Sequence, residues 1–188
     1  MTQGPAPLVL HVLPRDLARG AQVFARTLRD RLDGAEVRHR TLTLFQGPEG
    51  ALASDHRLDL APGVMRRAGY DPLVLRPLRR RLAELAPDVV VAHGGEPLKY
   101  CASARPEGTP LIYYKVGSSR ALAQRPSRVR WHRRLMGRAD HVVCISEELA
   151  AEARDVFGVD RRRVSVIPNG RDPGHYRPAD HTTGPPTL

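Results

Sequence analysis

A histidine that directly follows a short apolar run is the residue whose type and position most clearly suggest chemistry. His93 comes after Asp88–Ala92, a run that is apolar after its aspartate, as buried parallel strands are. An imidazole at the end of such a strand can hydrogen-bond a hydroxyl group or stabilise an anionic leaving group. We therefore predict that His93 is catalytic. The alternative is a loop histidine that only caps the end of the strand.

Several motifs that would define other chemistries do not occur in the sequence. These are the phosphate loop GxxxxGK[ST], the dinucleotide-binding GxGxxG after the first strand, HExxH, paired CxxC, and the GxSxG of hydrolases. Their absence argues against those classes, and we expect no metal cofactor. Cys101 and Cys144 lie in apolar-rich segments and are expected to be reduced thiols, which predicts a cytoplasmic protein.

The chain is strongly basic, with 30 lysine and arginine residues against 20 acidic residues and a formal net charge of +10. Residues 97–139 contain ten basic residues and one acid, with Trp131 and Leu135 in the predicted helix of this segment. Such a segment can contact nucleic acid, an anionic membrane surface or a phosphorylated small molecule. The alternative is an ordinary solvated helix with Trp131 in the core.

The hydrophobic pattern alternates between short strand-like runs and longer helical runs. Residues 45–73 contain repeated glycine and proline and are predicted as a long loop with no more than one short helix. Ser146 is predicted as a helix N-cap. The predicted strands cover residues 8–13, 36–44, 88–92, 110–116, 141–145 and 164–167, and the predicted helices cover 20–33, 73–85, 97–104, 125–138 and 147–157.

This order of elements predicts an α/β fold, a Rossmann-like doubly wound parallel sheet with helices on both faces. We assign residues 1–170 to this domain, and residues 171–188, rich in proline and glycine, to a tail or linker. Ligands of such sheets bind at the carboxyl ends of the strands, near the point where the strand order reverses. The sequence therefore directs attention to the loops 14–20, 93–97 and 117–119.

Five local patterns together carry a resemblance to a known family. They are RGAQ at 19–22, PDVVVAHG at 87–94, GTPLIY at 108–113, RADHVVCISE at 138–147 and RVSVIPNG at 163–170. In this order and spacing they resemble the N-terminal half of the family 4 glycosyltransferases. Those are retaining enzymes of the GT-B fold, in which two Rossmann-like domains face each other across a cleft. The resemblance covers about residues 8–178, nearly the whole chain.

The resemblance implies roles for particular residues. In the family, a glycine-rich turn before the first helix lets the donor phosphate approach the helix N-terminus. Gly20 and Ala21 are the matching residues, although many relatives have two glycines where this chain has Arg19-Gly20; the alternative is that Gly20 only opens the helix. The family often has a histidine at the position of His93, near the transferred sugar and the acceptor. We further expect four residues to bind substrate, namely Gly94, Gly95, Glu96 and Lys115.

The resemblance also implies a reaction: transfer of a sugar from a nucleotide-sugar donor to an acceptor with retention of configuration, without a metal. In the family, most of the nucleotide-sugar site lies in a C-terminal domain. We therefore expect this chain to be half of the enzyme and inactive without that domain or a partner chain. Two alternatives are a non-catalytic acceptor-binding module and a basic nucleic-acid-binding protein. The basic segment predicts peripheral contact with the anionic inner face of the membrane.

Overall fold

All the strands in the described part of the chain belong to one sheet. The computed structural model describes residues 5–17, 19–34, 36–47, 53–61, 63, 65, 69–120 and 125–170. Within these ranges seven parallel strands lie in the order β3-β2-β1-β4-β5-β6-β7. They are β1 (Leu8–Arg15), β2 (Arg38–Phe45), β3 (His56–Leu60), β4 (Val89–His93), β5 (Leu111–Lys115), β6 (His141–Cys144) and β7 (Val164–Val166).

Five α-helices in the described ranges connect or flank these strands, and both faces of the sheet are covered. Helix α1 packs on β1, β2 and β4, whereas α3 packs against β4 and β1 from the other face, alongside α2 and α4. The chain therefore has the predicted Rossmann-like α/β fold. The helices are α1 (Gly20–Leu32), α2 (Leu75–Leu85), α3 (Gly95–Ala104), α4 (Pro126–Gly137) and α5 (Glu147–Asp155).

A hydrophobic core lies between the sheet and α3. Leu10 and Val12 of β1 and Val90 and Ala92 of β4 are completely buried and face this core. Alternate residues of a strand point to opposite faces, so the neighbours of these residues face α1. That second face contains the polar side chains described below.

The predicted loop at 45–73 is wrong in one respect, because residues His56–Leu60 form β3. Among the described residues this strand pairs only with β2, and none of its five residues is fully buried. An edge strand of this kind has little apolar content to reveal it in the sequence. Residues 48–52, 62, 64 and 66–68 of the same segment lie outside the described residues, as do residues 171–188, the predicted tail.

Two helix starts show how local chemistry sets the boundaries. Helix α3 begins at Gly95, two residues before the predicted start at Pro97. Pro97 lies in the first turn of the helix, where a proline is tolerated because the N–H that it lacks would have no partner within the helix. Helix α5 begins as predicted, since the Ser146 hydroxyl accepts a hydrogen bond from the backbone N–H of Leu149 at 3.3 Å.

Candidate functional site

The strand order reverses between β1 and β4, so the loops that follow these two neighbouring strands leave the sheet in opposite directions. The loop after β1 leads into α1, and the loop after β4 leads into α3. Two helix N-termini therefore lie at the same edge of the sheet, on either side of the switch point. Open α/β sheets bind ligands in the crevice formed at this position.

Three buried histidines form a continuous row beneath α1. Nδ1 of His11 lies 2.9 Å from Nε2 of His93, and Nε2 of His11 lies 3.0 Å from Nδ1 of His39. The exposed fractions of the three residues are 1% for His93, 3% for His11 and 8% for His39. We call these three side chains the histidine row.

The register of the sheet explains why the row exists. His11 of β1 stands opposite Thr41 of β2 and Val91 of β4. His39 lies two residues before Thr41, and His93 lies two residues after Val91. Because the side-chain period of a strand is two, all three rings share one face and meet diagonally across three strands. The row runs from the amino-terminal part of β2 to the carboxyl end of β4.

Burial keeps the histidine row neutral. Desolvation, reinforced by the neighbouring His39, lowers the pKa of His11 from 6.5 to about 4. Desolvation also lowers the pKa of His39, although the carboxylate of Asp33 opposes this shift. Desolvation, together with His11, lowers the pKa of His93 well below its usual value. At neutral pH each ring therefore carries a single N–H.

His93 lies at the end of β4 as predicted, but its ring does not face the open edge of the sheet. It turns beneath α1 towards His11, and its ring centroid lies 5.2 Å from that of Tyr114. Tyr114 in turn stacks on Phe24 of α1 at 4.9 Å. The second ring nitrogen of His93, Nδ1, is buried and has no hydrogen-bond partner within the described part of the chain. Direct contact between His93 and a substrate remains a prediction.

The predicted substrate loop forms the N-terminus of α3. Gly94 adopts φ +89°, a conformation that side chains disfavour, and its N–H donates to the carbonyl of Tyr114 at 3.0 Å. Gly95 is the first residue of α3, and Glu96 lies in the first turn, where a carboxylate interacts favourably with the helix dipole. The structure thus holds all three residues beside His93, at the switch point.

Gly20 and Ala21 form the start of α1, as predicted. The N-cap, Arg19, makes no side-chain capping bond, and the first turn contains no acidic residue. A methyl group added at Gly20 would find no atom within 4 Å. The position is therefore open enough for a phosphate to approach the backbone, and binding there stays a prediction.

Lys115 has a structural partner inside the protein. Its side chain is fully buried, and Nζ lies 3.2 Å from Oε1 of Glu152 and donates to the carbonyl of Gly117 at 2.8 Å. Glu152 also accepts from the Ser118 hydroxyl and from the Ser119 N–H, at 2.9 and 2.7 Å. In this structure Lys115 therefore fixes the turn after β5 to α5, and substrate binding by Lys115 remains a prediction.

Sequence reasoning missed several polar residues near the switch point. Asp16, directly after β1, is 2% exposed, accepts from the Ser54 hydroxyl, and lies 3.2 Å from Nε of Arg57. A side chain at Gly47 would bring its Cβ to 2.8 Å from the Asp16 carbonyl, so only glycine fits. The signal that could have revealed His11 was a polar residue inside the apolar run Leu8–Leu13.

The basic segment exposes charge along α4. Arg128, Arg130 and Arg134 are exposed, and Trp131 is 39% exposed, whereas Leu135 is buried. Trp131 lies in an edge-to-face contact with Tyr70, so it is only partly in the core. Contact of this surface with an anionic membrane remains a prediction. No helix within the described residues has the length and apolar character needed to cross a bilayer.

The cysteines and the side chains of metal-binding type form no second candidate site within the described residues. Cys101 and Cys144 are both buried and free, and burial raises the pKa of the Cys101 thiol to about 12. In the ranges that the structure describes, no three His, Cys, Asp or Glu side chains group in a way that could hold a metal ion. In the histidine row, His11 uses opposite ring nitrogens towards its two neighbours, so the three rings do not converge on one point.

The sequence profile of Glycosyltransferase Family 4 matches residues 18–175. This chain belongs to that family. The matched range contains both helix N-termini of the switch point and His93. Membership favours a glycosyltransferase-like enzyme over a nucleic-acid-binding protein. A search of curated proteins finds no match.

Solved structures with the same fold include glycosyltransferases and sugar-nucleotide epimerases. HepE of Anabaena, in complex with UDP and glucose, is 20% identical, with a TM-score of 0.60 over 89% of this chain and 46% of HepE. A glycosyltransferase of Rickettsia africae is 12% identical, with a TM-score of 0.61 over 95% of this chain and 47% of its own. The UDP-N-acetylglucosamine 2-epimerase of Rickettsia bellii is 16% identical, with a TM-score of 0.62 over 85% and 44%. The chain thus spans just under half the length of these structures.

Proposed function

We propose that this chain is the acceptor-side half of a retaining glycosyltransferase that uses a nucleotide-sugar donor. One observation carries the proposal: in a chain of this family, the turns at Gly20 and Gly94 and the buried His93 all lie at the switch point between β1 and β4. The UDP and glucose bound by HepE, and the UDP-glucose of a second HepE complex, support a nucleotide sugar as the co-substrate.

Each group at the switch point has a chemical task in this proposal. The N-terminus of α1, at Gly20 and Ala21, binds a donor phosphate through free backbone N–H groups and the helix dipole. Gly94, Gly95 and Glu96 hold hydroxyl groups of the sugar or of the acceptor. His93 accepts a hydrogen bond from a reacting hydroxyl through Nδ1, once α1 or the β4–α3 loop shifts to admit it.

The proposal also includes a second domain. The matched structures are about twice as long as this chain, and in the resembling family the second Rossmann-like domain holds most of the donor. We propose that such a domain, on the same polypeptide or on a partner chain, completes the site, and that no metal takes part. Contact with an anionic membrane would bring lipid-linked acceptors to the exposed arginines of α4.

A turnover assay tests the proposal. The chain, and any longer native polypeptide that contains it, is incubated with UDP-, GDP- and ADP-sugars, and release of the nucleoside diphosphate is measured. We expect release from one class of donor by the complete enzyme, and none by residues 1–188 alone. Proton NMR of the product gives the anomeric configuration, and an inverted product would refute retention. Absence of both binding and release with every donor would refute sugar transfer.

A further inference from the structure

The histidine row leaves one imidazole nitrogen unsatisfied at the functional end of the sheet. Two hydrogen bonds join three rings, and Nδ1 of His93 is buried without a partner among the described residues. A buried polar atom left unpaired destabilises the folded protein, so natural proteins seldom keep one without a use. In the proposed sugar transfer His93 has a role, whereas His11 and His39 have none.

The geometry allows only two proton arrangements while the rings are neutral. Each hydrogen bond needs one proton, and each ring has one to give. Either all three rings carry the proton on Nε2, and Nδ1 of His93 is a bare acceptor, or all three carry it on Nδ1, and His93 becomes a donor. We call these the Nε2 arrangement and the Nδ1 arrangement. If the three rings carry their protons on different nitrogens, at least one of the two hydrogen bonds has no proton or has two.

At neutral pH the Nε2 arrangement is favoured. In the Nδ1 arrangement the unpartnered atom of His93 would be a buried N–H, and buried N–H groups without a partner are rarer than unsatisfied acceptors. In the Nε2 arrangement the same atom is a bare lone pair. That lone pair can accept a hydrogen bond from a hydroxyl group.

Protonation of His39 reverses the row. A charged imidazole has protons on both nitrogens, so Nδ1 of His39 must then donate to His11. His11 must in turn donate from Nδ1 to His93, and the proton of His93 then resides on Nδ1. His39 is the most exposed of the three rings, and desolvation lowers its pKa less severely than that of His93. It is therefore the end of the row at which solvent protons enter.

We propose that His39 and His11 are positioning residues that set, through the histidine row, which nitrogen of His93 carries the proton. At neutral pH they hold His93 as a hydrogen-bond acceptor, and protonation of His39 converts it to a donor. The catalytic use of this control rests on the proposed sugar transfer. The control itself does not, because it follows from the contacts of the three rings.

The row also accounts for the protons when His93 acts on a bound hydroxyl. If Nδ1 of His93 takes the hydroxyl proton, the Nε2 proton of His93 passes to Nδ1 of His11. The Nε2 proton of His11 then passes to Nδ1 of His39, and that of His39 leaves to solvent. Each ring gains one proton and loses one, so no charge is left buried.

The charged and titratable groups around the row are few. Asp33 at the end of α1 accepts a hydrogen bond from the backbone N–H of His39 at 2.7 Å, and the Asp33 charge favours a protonated His39 ring. Asp55, before β3, favours protonated His11 and is paired with Arg29 of α1 at 3.1 Å. Arg40, beside His39, is paired with Asp33 at 2.6 Å. On the other side, the ring of Tyr114 of β5 faces His93. Of the three rings, His39 is expected to gain a proton first as the pH falls.

Nitrogen-15 NMR of histidine-labelled protein tests the proposal without any substrate. At neutral pH we expect His93 to show a protonated Nε2 and a bare Nδ1. As the pH falls and His39 becomes charged, the Nδ1 resonance of His93 should become that of a protonated nitrogen and its Nε2 resonance that of a bare nitrogen. The His93 ring stays neutral throughout. A bare Nδ1 that persists on His93 after His39 is charged would overturn the proposal, as would a protonated Nδ1 at neutral pH.

Substitutions of His39 distinguish its effect on the proton position of His93 from an effect on packing alone. An asparagine amide can occupy the position of Nδ1 and keep the bond to His11, but it cannot be protonated in this range. We expect His39→Asn and His39→Phe both to abolish the pH response of His93. The matched control is His141→Asn at the start of β6, where the lost partner is Ser165 at 2.8 Å, and the response should survive there.

A persistent pH response of His93 in a folded His39→Asn protein would contradict the proposal. If that variant does not fold, the titration of the unmodified protein still decides the matter. Because the spectra report only ring protons, failure of the proposed sugar transfer would leave them unchanged. Where transfer is measurable, the proposal predicts that His39→Asn shifts the acid limb of the kcat profile.

Discussion

Three glycines at the edge of the candidate site differ in what they do for the fold. Gly94 holds a positive φ, and Gly47 has no room for a side chain, because a Cβ would lie 2.8 Å from the Asp16 carbonyl. Gly20 has neither constraint, since open space surrounds the position that its side chain would take. The fold therefore explains Gly47 and Gly94 but gives no reason for glycine at position 20.

The Gly20→Ala substitution tests whether that position serves binding. An alanine lowers the entropy of the unfolded chain and suits a helix, so we expect the free energy of unfolding to rise by up to about 1 kcal/mol. We expect turnover of the nucleotide sugar to fall, because the methyl group blocks phosphate approach. Denaturant unfolding and steady-state kinetics measure the two effects. Unchanged kinetics would show that Gly20 only opens the helix.

The buried histidines make stability depend on pH. An unfolded His11 binds a proton near pH 6.5, whereas the folded residue binds one only near pH 4. Between these values the unfolded chain holds more protons, so stability is complete above pH 6.5 and falls as the pH decreases towards 4. His11 alone contributes roughly 3 kcal/mol to this loss, and His39 and His93 act in the same direction.

Urea unfolding between pH 7 and pH 4 measures this dependence. The His11→Gln substitution removes the contribution of His11, so we expect a shallower slope in that variant. A stability that does not change across this range in the unmodified protein would contradict the burial of neutral imidazoles.

At the scale of secondary-structure elements, a buried ion pair links β5 to α5. Lys115 and Glu152 are 0% and 1% exposed at their side chains, and the pair also holds the turn 117–119. Removing one partner leaves a buried charge without compensation, which typically costs 3–5 kcal/mol. We expect Lys115→Met to destabilise the fold by about 3 kcal/mol and to loosen that turn.

A double substitution checks the origin of this effect. Adding Glu152→Gln to Lys115→Met removes the uncompensated charge and should restore part of the stability. The control is the exposed pair of Arg120 and Glu148, with side chains 67% and 66% exposed, where Arg120→Met should change stability by less than about 1 kcal/mol. Equal losses at the two pairs would contradict the account.

Local sequence pattern predicts the strands and helices that have a clear hydrophobic period and a residue that marks their start or end. The run before His93 and the helix after Ser146 are examples, and both are confirmed. Strand β3 was missed, because only Leu58 and Leu60 of its five residues are apolar. The histidine row was not predicted, since it depends on the register between β1, β2 and β4. Register is a relation between distant segments, and no local pattern encodes it.

At the scale of the whole molecule, the fold and the family could be predicted from the sequence. The burial and the partners of the side chains at the site could not. The position of His93 at the end of β4 followed from the apolar run before it. That its ring turns inward, to 1% exposure, depends on the imidazoles of two other strands. Similarly, Lys115 is predicted from the sequence to bind substrate, and its ion pair with Glu152 could not be predicted because Glu152 lies in another part of the sequence.

In the proposed reaction, a nucleotide sugar reacts at the switch point, beside His93. The most direct measurement is kcat/KM for donor turnover by the complete enzyme with His93→Gln, compared with His141→Gln. A glutamine amide can keep the bond to His11 but offers nothing at the position of Nδ1. We predict a loss of about 100-fold or more for His93→Gln and a change of less than about twofold for His141→Gln, with both proteins folded. Equal activity of the two variants would contradict the assignment of the site.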